Sequence, residues 1–243
     1  MKNSYVAFFD ILGFKTLVEK NTHEDLISIY NAALYETLDL SDKYYNLVYP
    51  TLTPSAEISA VNIKTFVISD SIILVQDDLS RRGLLYLLAK CQILLSTSFA
   101  EGIPLRGGVS FGPVSTIQNP RGTTVVGLGL TKAYTIEASQ QWSGGMIDKG
   151  CFSLFKDATA ENFIQSVLKD KVNPLMIKYN IPLKDNKFVS GYGFNWPKYA
   201  LIKSEEDVIN GFSKHNKIIA SGKEELIVEN TVKYYNHVKK LIN

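Results

Sequence analysis

Tyr5-Val6-Ala7-Phe8-Phe9-Asp10-Ile11-Leu12-Gly13-Phe14 is an apolar run that stops at an aspartate and turns at a glycine. Such a run reads as a buried strand feeding a turn. A carboxylate placed there, with a helix following, sits beside the backbone N–H groups of a helix start, which suits a divalent cation together with phosphate oxygens. Capping of the turn is the alternative use of the same residue.

Outward from this run, Leu26, Ile29, Tyr30, Ala33, Leu34 and Leu38 recur at helical spacing, which predicts a helix from about His23 into the forties. Tyr49 to Ser55 holds two prolines and reads as a loop. From about Ile58 to Gln76, two β-rich stretches flank Ser69-Asp70-Ser71, the pattern of two strands meeting at a tight turn. A second helix is expected from Ser80 to Phe99, with Leu84, Leu87, Leu88, Cys91, Leu94 and Leu95 inward, ended by Gly102 and Pro104. Strand signals return at Leu105 to Phe111 and Thr123 to Val126, joined by a loop containing Asn119-Pro120-Arg121-Gly122. A third helix follows from Leu128 to about Gln141, and Met146 to Asp148 reads as a last core strand. This order predicts an α+β sandwich, an antiparallel or mixed sheet covered by helices on one face. Beyond Gly150 the periodicity weakens: Ala160 to Leu168 and Glu224 to Leu241 look helical, and Phe188 to Ile202 is aromatic and β-prone. The expected division is a core over 1–150 and a C-terminal elaboration of the same domain over 151–243, serving the dimer or bracing the domain.

With 26 basic and 24 acidic residues, the net charge of +2 gives no electrostatic footprint for nucleic acid or for an anionic membrane. Any anion site must be local. Cys91 and Cys151 are far apart and in no metal-ligand spacing, so neither a disulfide framework nor a zinc site is indicated, and a reducing cytoplasm fits. A charge at position 10 comes too early for a signal-peptide apolar segment, and no stretch reaches the roughly 18 apolar residues of a membrane span. The expectation is a soluble, cytoplasmic protein.

Asp70 gives Asp10 a second meaning. Neighbouring strands lie only about 4.8 Å apart. If the strand carrying Asp10 lies beside the hairpin, both carboxylates can reach a two-metal site with ions roughly 3.5–4 Å apart.

Val6 to Phe14 resembles the opening metal motif of the class III nucleotide cyclases. Ile68-Ser69-Asp70-Ser71 matches their aspartate at a β-hairpin turn, and Leu105-Arg106-Gly107-Gly108-Val109-Ser110-Phe111-Gly112-Pro113-Val114 matches their later strand with its Gly-Pro. Gly127 to Glu137 matches the next helix in spacing. The resemblance spans roughly 4–148. Within the superfamily the chain is most similar to the bacterial pyrimidine cyclases of the Pycsar antiphage systems, through Lys132-Ala133-Tyr134-Thr135-Ile136-Glu137 and the following Ile147-Asp148.

The resemblance implies a ferredoxin-like palm working as a homodimer with sites at the interface, and two Mg²⁺ or Mn²⁺ ions held by Asp10, Asp70 and the Ile11 carbonyl. It implies that Leu12, Gly13 and Phe14 lie against the triphosphate. The implied reaction converts UTP to 3′,5′-cyclic UMP and pyrophosphate as a second messenger in antiphage defence, read by a separately encoded effector. A CTP-specific cyclase, or a catalytically retired nucleotide-binding or dimerisation module, are the alternatives. The purine-reading positions of the family fall on Phe66 and Thr124, which removes the usual purine hydrogen bonds and favours a smaller base. The Asn and Arg that serve ribose and transition state fall on Thr131 and Thr135. Arg106, Arg121 and Lys132 are the candidates to restore the missing charge. Arg106 comes first because it leads the Arg-Gly-Gly strand, and a structural ion pair is its alternative role.

Other chemistries lack their anchors. No Gly-x-x-x-x-Gly-Lys-Ser/Thr loop occurs, no serine sits in a Gly-x-Ser-x-Gly elbow, and His23, His215 and His237 have no partners at ligand spacing. An RNA-binding platform would need a basic groove, against which the balanced charge argues.

Overall fold

A computed structural model describes residues 2–40, 62–155, 159, 162–163, 174–199, 202–219 and 222–242. The loop expected at Tyr49 to Ser55 lies outside the described residues, as does most of the helix expected at Ala160 to Leu168.

The fold is α+β. Strand β1 (Lys2–Ile11) leads through helices α1 (Phe14–Lys20) and α2 (His23–Tyr30), which continues through a π turn (Asn31–Tyr35), to the hairpin β2 (Ile63–Ile68) and β3 (Ser71–Gln76). Helix α3 (Arg81–Ala100) returns the chain to β4 (Leu105–Asn119). These four strands stand in the order β2-β3-β1-β4, every neighbouring pair antiparallel. That is the ferredoxin-like βαββαβ arrangement.

The Tyr5–Phe9 segment is apolar on both faces, and both faces must be covered. Tyr5, Ala7, Phe9 and Ile11 pack with Leu84, Leu87, Leu88 and Leu94 of α3. Val6 packs in a second cluster with Ala133 of helix α4 (Leu128–Ser139), and Phe8 joins it there. The expectation of helices on one face is therefore corrected: α3 and α4 lie on opposite faces. Helix α4 docks very closely, since a Cβ on Gly108 would lie 2.6 Å from the Ala133 carbonyl oxygen.

Strand β4 outlasts its predicted end at Phe111. It continues to Asn119 and pairs with β5 (Gly122–Val126), so the expected loop shrinks to a tight turn at Pro120-Arg121.

Past α4 the same sheet grows rather than ending. Strand β6 (Gly144–Ile147) runs parallel to β4, β8 (Lys187–Phe194) pairs with β6, and β7 (Met176–Leu183) closes the edge against β8. The short helix α5 (Trp196–Tyr199), helix α6 (Glu205–Ser213) and the long helix α7 (Lys223–Ile242) follow. Trp142, Phe194, Trp196 and Tyr234 are buried in the one large core that also holds Tyr5 and Phe9. The Tyr234 hydroxyl donates to the Phe194 carbonyl at 2.8 Å.

Helix α3 is long and apolar enough, by length and composition, to cross a membrane, though 83% of its apolar window is buried inside the fold. The inward stripe read from its leucines understates it, because Lys90, Gln92, Ser96 and Ser98 are buried too. Gln92 Nε2 donates to the Asn195 carbonyl at 2.8 Å and Ser96 Oγ to the Trp196 carbonyl at 2.8 Å. C-terminal segments thus satisfy the polar side of a helix that would otherwise face water.

Candidate functional site

Asp10 occupies the C-terminal end of β1, opposite Ser71 of β3 on one side and Arg106 of β4 on the other. Asp70 occupies the two-residue β2–β3 turn. The turn is tied to β1 by the Ile11 amide, which donates to the Asp70 carbonyl at 3.0 Å. The two aspartate side chains come within hydrogen-bond reach of each other. Burial, then the nearby charges of Glu137 and Asp70, push the Asp10 carboxyl up to about 6, although Arg106 pulls the other way.

The turn itself contains a strained residue and has an outside partner. Ser69 takes the left-handed region at φ 55, and the Tyr30 hydroxyl donates to its carbonyl at 2.9 Å. Tyr30 thereby fixes where Asp70 sits. Sequence periodicity classed it simply as one apolar position of a helix. Burial and the charge of Asp70 lift its phenol to about 12, so it stays a donor at ordinary pH.

Arg106 is committed mainly to Glu137 of α4. Its Nε donates to Glu137 Oε1 at 2.6 Å, its Nη1 to the Gln140 carbonyl at 3.3 Å, and its Nη2 stands 4.0 Å from Asp10 Oδ2. The alternative foreseen for Arg106, an ion pair, is present, and the side chain still lies beside Asp10. Glu137 went unread as a partner because it lies 31 residues away.

The turn after β1 also departs in part from expectation. The Leu12 amide is used by the Pro104 carbonyl at 2.9 Å, so it cannot serve a phosphate, which leaves Gly13 and Phe14. Gly13 caps α1 at φ 76, a conformation that side chains other than glycine adopt with strain.

The remaining predicted residues are not brought to Asp10 within one chain. Phe66 lies on β2 opposite Ile73, half-buried against the second apolar cluster. Thr124 is exposed on β5 opposite Ile117. Thr131 and Thr135 are exposed on α4, and the Thr135 hydroxyl donates back to the Thr131 carbonyl at 2.8 Å. Arg121 and Lys132 are exposed as well.

Among the described residues, no group of three or more His, Cys, Asp and Glu side chains could hold a metal ion. The Asp10–Asp70 pair nevertheless suits a hard divalent cation. Two oxygen ligands converge, and their mutual repulsion is what a cation would relieve.

No family model matches the chain, and no curated protein sequence matches it. Among solved structures it is similar to a bacterial light-regulated adenylyl cyclase, at 13% identity, with 80% of this chain and 91% of that one covered and a TM-score of 0.49. It is similar to the monomeric guanylyl cyclase domain of the RhoGC fusion protein from the aquatic fungus Blastocladiella emersonii, at 16% identity, covering 80% and 95%, with a TM-score of 0.49. A rhodopsin-guanylyl cyclase catalytic core with converted specificity, in complex with ATPalphaS, aligns at 16% identity over 80% of this chain and 96% of that one, with a TM-score of 0.47.

Proposed function

We propose that the chain is a nucleotide cyclase that closes a nucleoside triphosphate, UTP before CTP, into its 3′,5′-cyclic monophosphate. The observation that carries this reading is the meeting of Asp10 and Asp70 at the end of a ferredoxin-like sheet, beside a glycine turn whose Gly13 and Phe14 amides remain for phosphate oxygens.

In this reading Asp10 and Asp70, with the Ile11 carbonyl, hold two Mg²⁺ or Mn²⁺ ions. When bound, the ions lower the pKa of the ribose 3′-hydroxyl and neutralise charge on the phosphates. Tyr30 fixes the Asp70 turn so that the second carboxylate needs little rearrangement. The Arg106–Glu137 pair walls the site on the α4 side. The 3′-oxygen bonds to the α-phosphorus, the bond from that phosphorus to the bridging oxygen breaks, and pyrophosphate and a proton leave.

A second copy of the chain completes the site. Thr124, Thr131 and Thr135 lie on a surface that also exposes Ile117, Val126, Leu128 and Tyr134, each between 46% and 61% accessible. Apolar groups concentrated on one arm and one helix favour coverage by a partner of the same kind. Phe66 then stands where a long polar chain would otherwise read a purine. A cyclic pyrimidine product would act as a second messenger, in line with the resemblance to antiphage cyclases.

The test is incubation of the purified chain with ATP, GTP, CTP and UTP in Mn²⁺, with products identified by mass spectrometry beside Asp70→Asn. A cyclic pyrimidine monophosphate that vanishes in the variant is expected. No cyclic product from any of the four would overturn the reading in favour of a binding or dimerisation module.

A further inference from the structure

A cavity of about 220 Å³ opens beside the site, between the Leu12-Gly13 turn and residues of the C-terminal segment. Arg106 is common to this cavity and to the Asp10 site. Lys217 and Lys223 line it from the segment between α6 and α7 and from the first turn of α7. Burial, then the charges of Arg106 and Lys223, lower the pKa of Lys184 on the β7–β8 turn, while Glu137 and Asp185 pull it the other way. Three cations from three separate elements, Arg106, Lys217 and Lys223, therefore line one cavity, in a chain whose net charge is only +2.

Lys217 is the unusual member. It is 95% buried by its 5% exposure, its stem packs at 3.4 Å from where a Cβ on Gly13 would lie, and its Nζ donates to the Gly102 carbonyl at 2.6 Å. Burial and Lys214 lower its pKa to about 8, and no carboxylate among the described residues offsets them. An ammonium has three donors, and one carbonyl takes one of them. A buried cation without a counter-charge is costly, and an anion in the cavity would relieve that cost. Phe212 and Ile227 give the cavity an apolar floor, whose low dielectric strengthens the attraction. Glu224 is the carboxylate on the wall, at an exposed position of α7.

We propose that the C-terminal segment is part of the nucleotide site in the same chain, with Lys217 and Lys223 binding the β- and γ-phosphates in the cavity beside Gly13. This rests on the cyclase reading for the identity of the ligand, but its chemistry is simply that of a polyphosphate. It also gives residues after 150 a direct role at the substrate. Arg106 is largely spent on Glu137, so the charge facing the leaving pyrophosphate comes chiefly from the two lysines.

The full chain is titrated calorimetrically with inorganic tripolyphosphate at pH 7, in EDTA and low salt, where Lys217 is protonated. Wild type is expected to bind, and Lys217→Met and Lys223→Glu each to weaken binding about tenfold or more, as loss of a charge-assisted contact predicts. Lys239→Met, at the far end of α7, should bind like wild type. Should Lys217→Met fail to fold, the exposed Lys223 decides alone. Binding unchanged in the lysine variants, absent in wild type, or undisturbed by saturating UTP would each overturn the proposal. Asp70→Asn separates the two readings: it should abolish cyclisation yet keep metal-free tripolyphosphate binding.

Discussion

Asp10 and Glu137 show what a single side chain contributes here. The Asp10 carboxyl, raised to about 6 from an ordinary 3.8, holds its proton in the folded protein over a range where the unfolded chain has lost it. Metal-free protein should therefore lose stability as the pH rises from about 4 to about 6 and level off above that. The loss should be on the order of 1–2 kcal/mol, discounted because the side chain is partly exposed. Asp10→Asn should flatten this window, and Mn²⁺ should restore stability above pH 6; urea melts across the range in EDTA check both. Glu137→Leu should cost about 3–5 kcal/mol, because it leaves the buried Arg106 guanidinium without its partner. Thermal melts read that loss, and intact stability would show that Arg106 is held otherwise. Asp10 and Asp70 were legible because each is a charge at the end of an apolar run. The Arg106–Glu137 pair, the Tyr30 contact and Lys217 were not, because nothing in one sequence records that residues 31, 39 or 115 positions apart will touch.

The elements were predicted more reliably than their placement. The hairpin with Asp70 at its turn, the helix after Ser80 and the last helix all lie where periodicity puts them. Periodicity reports that a helix has a buried side, but not which face of the sheet receives it. The sign that β1 is covered on both faces was its unbroken apolar run, in place of alternation. The close docking of α4 leaves no room at Gly108, where a Cβ would also meet Ile136 Cβ at 2.7 Å. Gly108→Ala should accordingly cost about 3 kcal/mol, the upper end for forced overpacking. Melts would show this, and near-neutral behaviour would mean that α4 can shift away from β4.

Across the whole molecule, the described C-terminal elements contribute Met176, Phe194, Trp196, Val208, Tyr234 and Val238 to the same core as β1. Hydrogen bonds from Gln92 and Ser96 of α3 end on the Asn195 and Trp196 carbonyls, and the Ser143 amide donates to Thr231 Oγ1 at 2.8 Å. A chain cut after Gly150 should therefore not fold, since Trp142 and the inner end of α3 would lose their cover. Loss of near-ultraviolet circular dichroism with a broad melt is expected of the truncated chain, whereas a sharp melt would mark 1–150 as a separate unit. The weak periodicity after Gly150 concealed this, because β7 and β8 pair mainly with each other and join the sheet only where Gly193 meets Met146 of β6.

β1 has a bonded strand on each side, while the Asp70 turn has Ser69 in the left-handed region and is tied, among the described residues, only by the Ile11 amide and the Tyr30 hydroxyl. The two carboxylates thus stand on supports of unequal stiffness. In amide hydrogen exchange, the β1 amides from Tyr5 to Asp10 should open only with global unfolding, while those at the Ser69-Asp70 tip should exchange far faster. Asp10 is then the fixed leg of a pair of dividers and Asp70 the adjustable one. Whatever enters the site will be gauged by how far the second leg has to swing.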